Sequence, residues 1–305
     1  MPQPWPAFDV ARDHPTLHLL HLASQMLGKM RVAHSTWTNH GWNVTLHPVA
    51  EGLAIEPIVI NGLAFTLTLD LCRHAIVLSA ADGERDILPL DLGSVAALHR
   101  NLIAMLDAHG FPSTFNGLPN EIEGAVPFAE DTAPRDYRPD TAERLHAALM
   151  LIEPVFERFR AGFAGKCSPV HFFWGSFDLA VTRFSGNRAP THPGGVPGLP
   201  DRITHEAYSH EVSSAGFWPG GAIAAEPIFY SYAYPEPDGF RARPVAPDAA
   251  LFDGQLGEFV LPYDAVRTAK HPEAALMAFL ESTYAAAADL AGWDRPSLER
   301  DPVAP

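Results

Sequence analysis

The sequence predicts an α+β protein of two pseudo-repeated halves, each an antiparallel sheet flanked by helices. Three observations predict it. Helical periodicity brackets β-rich runs twice along the chain, so the order helix, strands, helix occurs in both halves. Asn61-Gly62 separates two apolar runs, a hairpin signal that makes sequential strands antiparallel neighbours. Local similarities also align the halves. Ile87-Leu88-Pro89-Leu90-Asp91 precedes one closing helix and Val260-Leu261-Pro262-Tyr263-Asp264 the other, while Trp42-Asn43-Val44-Thr45 falls where Leu179-Ala180-Val181-Thr182 would. An internal duplication explains this order, and a chance likeness of two α+β halves is the alternative.

The first half, residues 1–110, opens with a helix over 16–31. Leu17, Leu20, Ala23, Leu27 and Met30 recur at helical spacing after the turn-prone Asp13-His14-Pro15. Strands are expected at 42–46, 58–60, 63–71, 75–79 and 86–90, then a helix over 94–109 closed by Gly110. Residues 111–140 form a connector in which Pro112, Pro119, Pro127, Pro134 and Pro139 interrupt regular structure, expected to cross the surface. The second half, 141–305, carries a helix over 141–163 with Pro154 inside it. Strands follow at 170–184, 208–214, 228–234 and 258–261, and a last helix spans 272–290.

Composition narrows the function classes. Of 305 residues 47% are hydrophobic and 19% charged, which supports a well-buried core rather than disorder. A formal charge of -15 repels phosphate backbones and anionic bilayers, so neither nucleic acid nor membrane is expected as a partner. The N-terminus lacks a basic start followed by an apolar core, and no apolar run approaches bilayer-spanning length; a cytoplasmic protein is expected. Cys72 and Cys167 show no paired spacing and read as two reduced thiols.

Nucleotide and hydrolase signatures are absent: no GxGxxG opening a helix, no GxxxxGK[ST], no GxSxG and no HExxH. No motif therefore names a cofactor. His205 and His210 lie five residues apart, which puts them on different faces of either a helix or a strand.

Three stretches carry the chemistry. They are 170–186 (VHFFWGSFDLAVTRFSG), 208–221 (YSHEVSSAGFWPGG) and 229–237 (FYSYAYPEP). Together they resemble an uncharacterised bacterial family known only as a domain of unknown function, over nearly the whole chain. That resemblance implies no activity, fold or catalytic residue, so the chemistry rests on the residues. In the first stretch both faces are largely apolar, which predicts a central strand, with a Gly175 bulge able to reset the alternation and with Asp178 and Arg183 in need of partners. In the second, Glu206 and His210 share a face in a strand or a helix. A carboxylate beside an imidazole orients and strengthens a general base, although a buried histidine satisfied by a carboxylate has the same spacing. In the third, Tyr230, Tyr232 and Tyr234 form one face, either a ligand wall or ordinary packing.

The Gly/Pro-rich loop 186–200 separates the first two stretches. Lys166, Arg183, Arg188 and Arg202 against Asp178 and Asp201 leave residues 166–202 locally cationic. The sequence thus points to a small-molecule enzyme with an anionic substrate. His210 would be its acid/base, oriented by Glu206. Arg183 and Arg188 would hold the anion, with His171, Trp174, Trp218 and Tyr230 around the pocket. A non-catalytic binding protein using the same pocket, or an interaction protein burying its aromatic stretches in a subunit interface, are the alternatives. His171, His192, Glu206, His210 and Glu211 could meet at a metal only if their strands are neighbours, and none is assigned.

Overall fold

The structure, a computed structural model, describes residues 4–221 and 225–301. Helix α1 (Val10–His34) starts at Asp9, whose carboxylate accepts from the Arg12 amide, and runs farther at both ends than its apolar periodicity indicates. Pro15 lies inside the helix, at its sixth residue, where it leaves the Ala11 carbonyl without its i+4 amide donor. A distorted 3-10 segment, Asn39–Val44, takes the place of the strand expected at 42–46; His40 and Gly41 have positive φ there. Six strands follow: β1 (Leu46–Val49), β2 (Gly52–Ile55), β3 (Ile58–Ile60), β4 (Leu63–Asp70), β5 (Ala75–Ala80) and β6 (Arg85–Pro89). Helix α2 (Val95–Ala108) is capped by Ser94.

After the connector come α3 (Pro139–Ala161), β7 (His171–Phe173), β8 (Asp178–Arg188), α4 (Asp201–Ala207), β9 (His210–Trp218) and β10 (Ile228–Tyr234). The chain ends with β11 (Leu251–Asp253), β12 (Glu258–Pro262), α5 (Tyr263–Arg267), α6 (Pro272–Leu290) and α7 (Arg295–Leu298).

The α+β class stands, but the halves share one sheet. All the strands join in the order β11-β12-β10-β9-β8-β7-β1-β2-β4-β5-β6, with β3 also on β4. The halves meet where β1 pairs antiparallel with β7, Leu46 opposite Phe172. Outward from that seam the two paths correspond: β1, β2 with β3, β4, β5, β6 on one side, and β7, β8, β9, β10, β12 on the other. Neither α4 nor β11 has a counterpart in the first half, and the correspondence does not establish a common origin.

Alternation along β8 positions the functional region. Leu179, Val181 and Arg183 face α3 and α6, in register with Phe217, Ala215 and Ser213 of β9. Asp178, Ala180, Thr182 and Phe184 face the other way. The single strand expected over 170–184 is two, β7 and β8, paired antiparallel across a turn at 174–177 in which Phe177 has φ 60°; Gly175 lies in that chain reversal and makes no bulge, and His171 and Phe173 come opposite Ala180 and Asp178. Among the described residues no helix is long and apolar enough to cross a membrane.

Candidate functional site

On the side of the second half's sheet away from α3 and α6 lies a partly open cavity of about 840 Å³. Its floor is β7, β8, β9 and β10. Its walls are the end of α1, the 3-10 segment and residues 116–121 of the connector, and its cover is loop 196–200 with α4. The connector therefore builds the cavity instead of crossing the surface. Gln25 of α1 accepts from the Asn120 amide at 2.8 Å and donates to the Asn120 carbonyl at 2.9 Å. The Glu121 amide then donates to Pro197 O at 2.8 Å, so helix, connector and cover form one hydrogen-bonded unit.

Glu121 sits with φ 59°, and its Oε1 lies 2.0 Å from where a Cβ on Gly175 would be. Only glycine at 175 leaves room for that carboxylate, which borders both the main cavity and a smaller one of about 240 Å³ beside His14, His18 and His21. Its side chain has no hydrogen-bond or ion-pair partner among the described residues. Burial and the neighbouring Asp178 raise its pKa to about 7.

Asp178 accepts from Ser176 Oγ at 2.6 Å and from the Tyr230 hydroxyl. Tyr230 reaches it by lying across Gly216, where a Cβ would come within 2.3 Å of the ring. Burial raises the Asp178 pKa to about 6, with the two hydroxyl donors holding it back. Glu258 of β12 completes the acidic wall. One of its oxygens is buried with no partner among the described residues, and burial, then Asp178 and Asp253, raise its pKa to about 8.

Aromatic rings continue the wall. Trp218 stacks on Tyr230 with centroids 4.2 Å apart, Tyr232 follows at 6.1 Å, and the hydroxyls of Tyr232 and Tyr208 are 2.9 Å apart. The Trp218 indole N–H is another buried polar atom without a partner among the described residues. Trp174 donates to Val44 O at 2.8 Å, and Lys29, its pKa lowered to about 8 by burial, lies over the Trp174 ring. His171 Nδ1 is 2.7 Å from Pro169 O, so that nitrogen carries the proton; burial lowers the imidazole to about 4 and keeps it neutral.

The structure brings together four of the residues singled out from sequence, His171, Trp174, Trp218 and Tyr230, all of which line the cavity. It does not bring in the other four. Glu206 and His210 are not hydrogen-bonded: Glu206 accepts from Trp37 Nε1 at 2.9 Å and the His40 amide at 3.2 Å, and His210 Nδ1 lies 3.0 Å from Ser209 Oγ. Their spacing suits a helix or a strand, but the chain passes from α4 to β9 between them. Burial, then Lys166 and Arg188, lower the His210 pKa, and no carboxylate raises it.

Arg183 is buried on the opposite face of the sheet. Its guanidinium lies 3.4 Å from the Phe159 ring centroid, donates to Phe159 O and pairs with Glu281 at 3.5 Å. Arg188 is exposed at the end of β8, opposite His210. Among the described residues no three His, Cys, Asp or Glu side chains form a group that could hold a metal ion.

Sequence reasoning missed Glu121, Glu258, Lys29, Tyr208 and the place of Tyr232. Glu258 carried a usable signal, as an acid alternating with Phe259 and Leu261 in a strand apolar on both faces. Glu121 carried none, because its place depends on Gln25 and Pro197, both far away in sequence.

The sequence model of a family of unknown function (DUF5996) matches residues 5–300. No curated protein and no solved structure matches the chain.

Proposed function

The chain belongs to the DUF5996 family, whose description carries no activity, and from the cavity we propose a small-molecule enzyme in which Glu121 or Asp178 exchanges a proton with the bound molecule. What supports this most is the cavity of about 840 Å³ with carboxyl groups set into an aromatic wall. Its size falls within the roughly 300–1,000 Å³ of small-molecule sites. A general acid or base works best with a pKa near the working pH, and Glu121 at about 7 and Asp178 at about 6 meet that requirement. The acid/base role expected of His210 with Glu206 passes to these carboxyls. Glu206 instead fastens α4 to the 3-10 segment.

One observation favours a second reading, a binding protein without turnover. Asp178 is held by two hydroxyl donors, an arrangement that fixes a carboxylate as a ligand contact. A fragment screen by ligand-observed NMR tests both readings, comparing wild type with Ala180→Trp, which fills the floor of the cavity. Fragments should bind wild type and be lost from the variant. No binding, or fragments that persist in the variant, would remove the cavity reading. Among ligands found, turnover abolished by Glu121→Gln with binding retained selects the enzyme, and binding with no turnover in wild type selects the second reading.

A further inference from the structure

Three carboxyl groups face this cavity, and none has a cationic partner among the described residues. The residues that influence Asp178, Glu121 and Glu258 are hydroxyl donors or other acids. Lys29 lies at the same cavity, but its ammonium goes to Asn120 and the Trp174 ring. Gathering acids in a poorly solvated wall is unfavourable unless a cation joins them or they hold protons. Glu258 also keeps one buried oxygen unbonded among the described residues, and near it stand the rings of Trp218, stacked on Tyr230, and of Tyr232. Aromatic faces attract cations through their negative π-surface. Among the described residues the three acids do not form a group that could hold a metal ion, and the cavity of about 840 Å³ that they border has room for an organic cation.

Resting on the cavity reading above, we propose that the molecule bound there is an amine, its ammonium among Asp178, Glu121 and Glu258 and its apolar body against the Trp218–Tyr230–Tyr232 stack. This reverses the anionic substrate expected from the sequence. The two arginines behind that expectation are buried under α3 and exposed at the end of β8. The amine should displace protons from the carboxyls that hold them at neutral pH. Binding therefore tightens as pH rises through the range in which Glu121 and Glu258 ionise, about 7 to about 8.

Calorimetry and ligand-observed NMR on the full chain test this with phenethylamine, phenethyl alcohol and phenylpropanoate, which share a ring and differ in the polar end. The amine should bind roughly tenfold or more tightly than the alcohol or the acid. It should gain roughly a further tenfold between about pH 6 and pH 8, with proton release seen as a dependence of the heat on buffer. Glu121→Gln and Glu258→Gln should weaken the amine and leave the alcohol unchanged. The pH dependence in wild type keeps the test independent of how the variants fold. Tighter binding of the alcohol or the acid, or amine binding insensitive to pH, overturns the amine and leaves the cavity reading standing. If none of the three binds, both fall.

Discussion

Replacing Glu258 by glutamine keeps the shape of the side chain and removes its titration, which makes the pH dependence of stability a direct reading of the acidic wall. The folded protein holds the Glu258 proton up to about pH 8, whereas the carboxyl has a value of 4.5 when unperturbed. Between those values the folded state binds more protons than the unfolded chain, so stability is fully present below 4.5 and is lost as pH rises toward 8. At about 1.36 kcal/mol per unit, the loss from this one group between about pH 6 and pH 8 is about 2 kcal/mol. His21 and His171, whose values fall to about 4, have the opposite sign, but their stability is regained mostly below 6.5 and is common to both proteins. Urea denaturation of wild type and Glu258→Gln at the two pH values should therefore show the variant gaining about 2 kcal/mol on wild type at the higher pH. Any constant cost of burying the amide shifts both points equally and leaves this difference intact. Denaturation curves that move in parallel would show that Glu258 ionises as an ordinary carboxyl, and the acidic wall would lose its basis.

Other perturbations separate the cavity from its supports. Arg183→Ala removes a guanidinium packed between Phe159 and Tyr284, and should lower stability by about 2–4 kcal/mol in chemical denaturation while fragment binding survives; loss of binding without loss of stability would return Arg183 to the site. His210→Ala removes a partly exposed ring hydrogen-bonded to Ser209, and should change stability by less than about 1 kcal/mol in the same assay. Glu206→Ala breaks two hydrogen bonds to Trp37 and His40, so amides of α4 should exchange faster by hydrogen–deuterium exchange while those of β9 keep their protection. Gly216→Ala places a methyl group 2.3 Å from the Tyr230 ring and should cost about 1–3 kcal/mol, with fragment binding impaired through the displaced tyrosine.

Most helices and strands were legible in the sequence because they repeat with the period of their burial. Strand β10 and helix α6 fall where the sequence reading put them, and α2 and β4 within a residue or so at each end. Strand β2 and helix α4 were not legible: each is short, and one is cut off by Glu56-Pro57 while the other sits at the end of a Gly/Pro-rich loop. The site was legible where it rests on strand alternation, as for Tyr230. It was illegible where it depends on contacts between distant segments. The Glu206–His210 pairing failed for a local reason, since spacing rules hold only within one element and α4 ends between the two residues.

The same distinction explains why local charge along the chain does not describe the charge of the cavity. Counting Lys166, Arg183, Arg188 and Arg202 along the chain treats a strand as though both its faces met one site. Strand β8 sends Arg183 to the helices and Asp178 to the cavity, so residues five apart in sequence end on opposite sides of the sheet. Glu121 and Glu258 then join Asp178 from the connector and from β12, where a count over 166–202 does not reach. Glu121 is unremarkable in its own segment, and the three acids meet only when the sheet closes against the connector. A test of that origin lies in the support and leaves the acids in place. Gln25→Ala removes both hydrogen bonds to the Asn120 backbone, at 2.8 and 2.9 Å, without touching a carboxyl. Glu121 should then gain solvent and its pKa should fall from about 7 toward the ordinary carboxylate range, measured by carbon-detected NMR titration. A Glu121 pKa unchanged in this variant would show that the connector is held by other contacts, and that Gln25 does not place the acid.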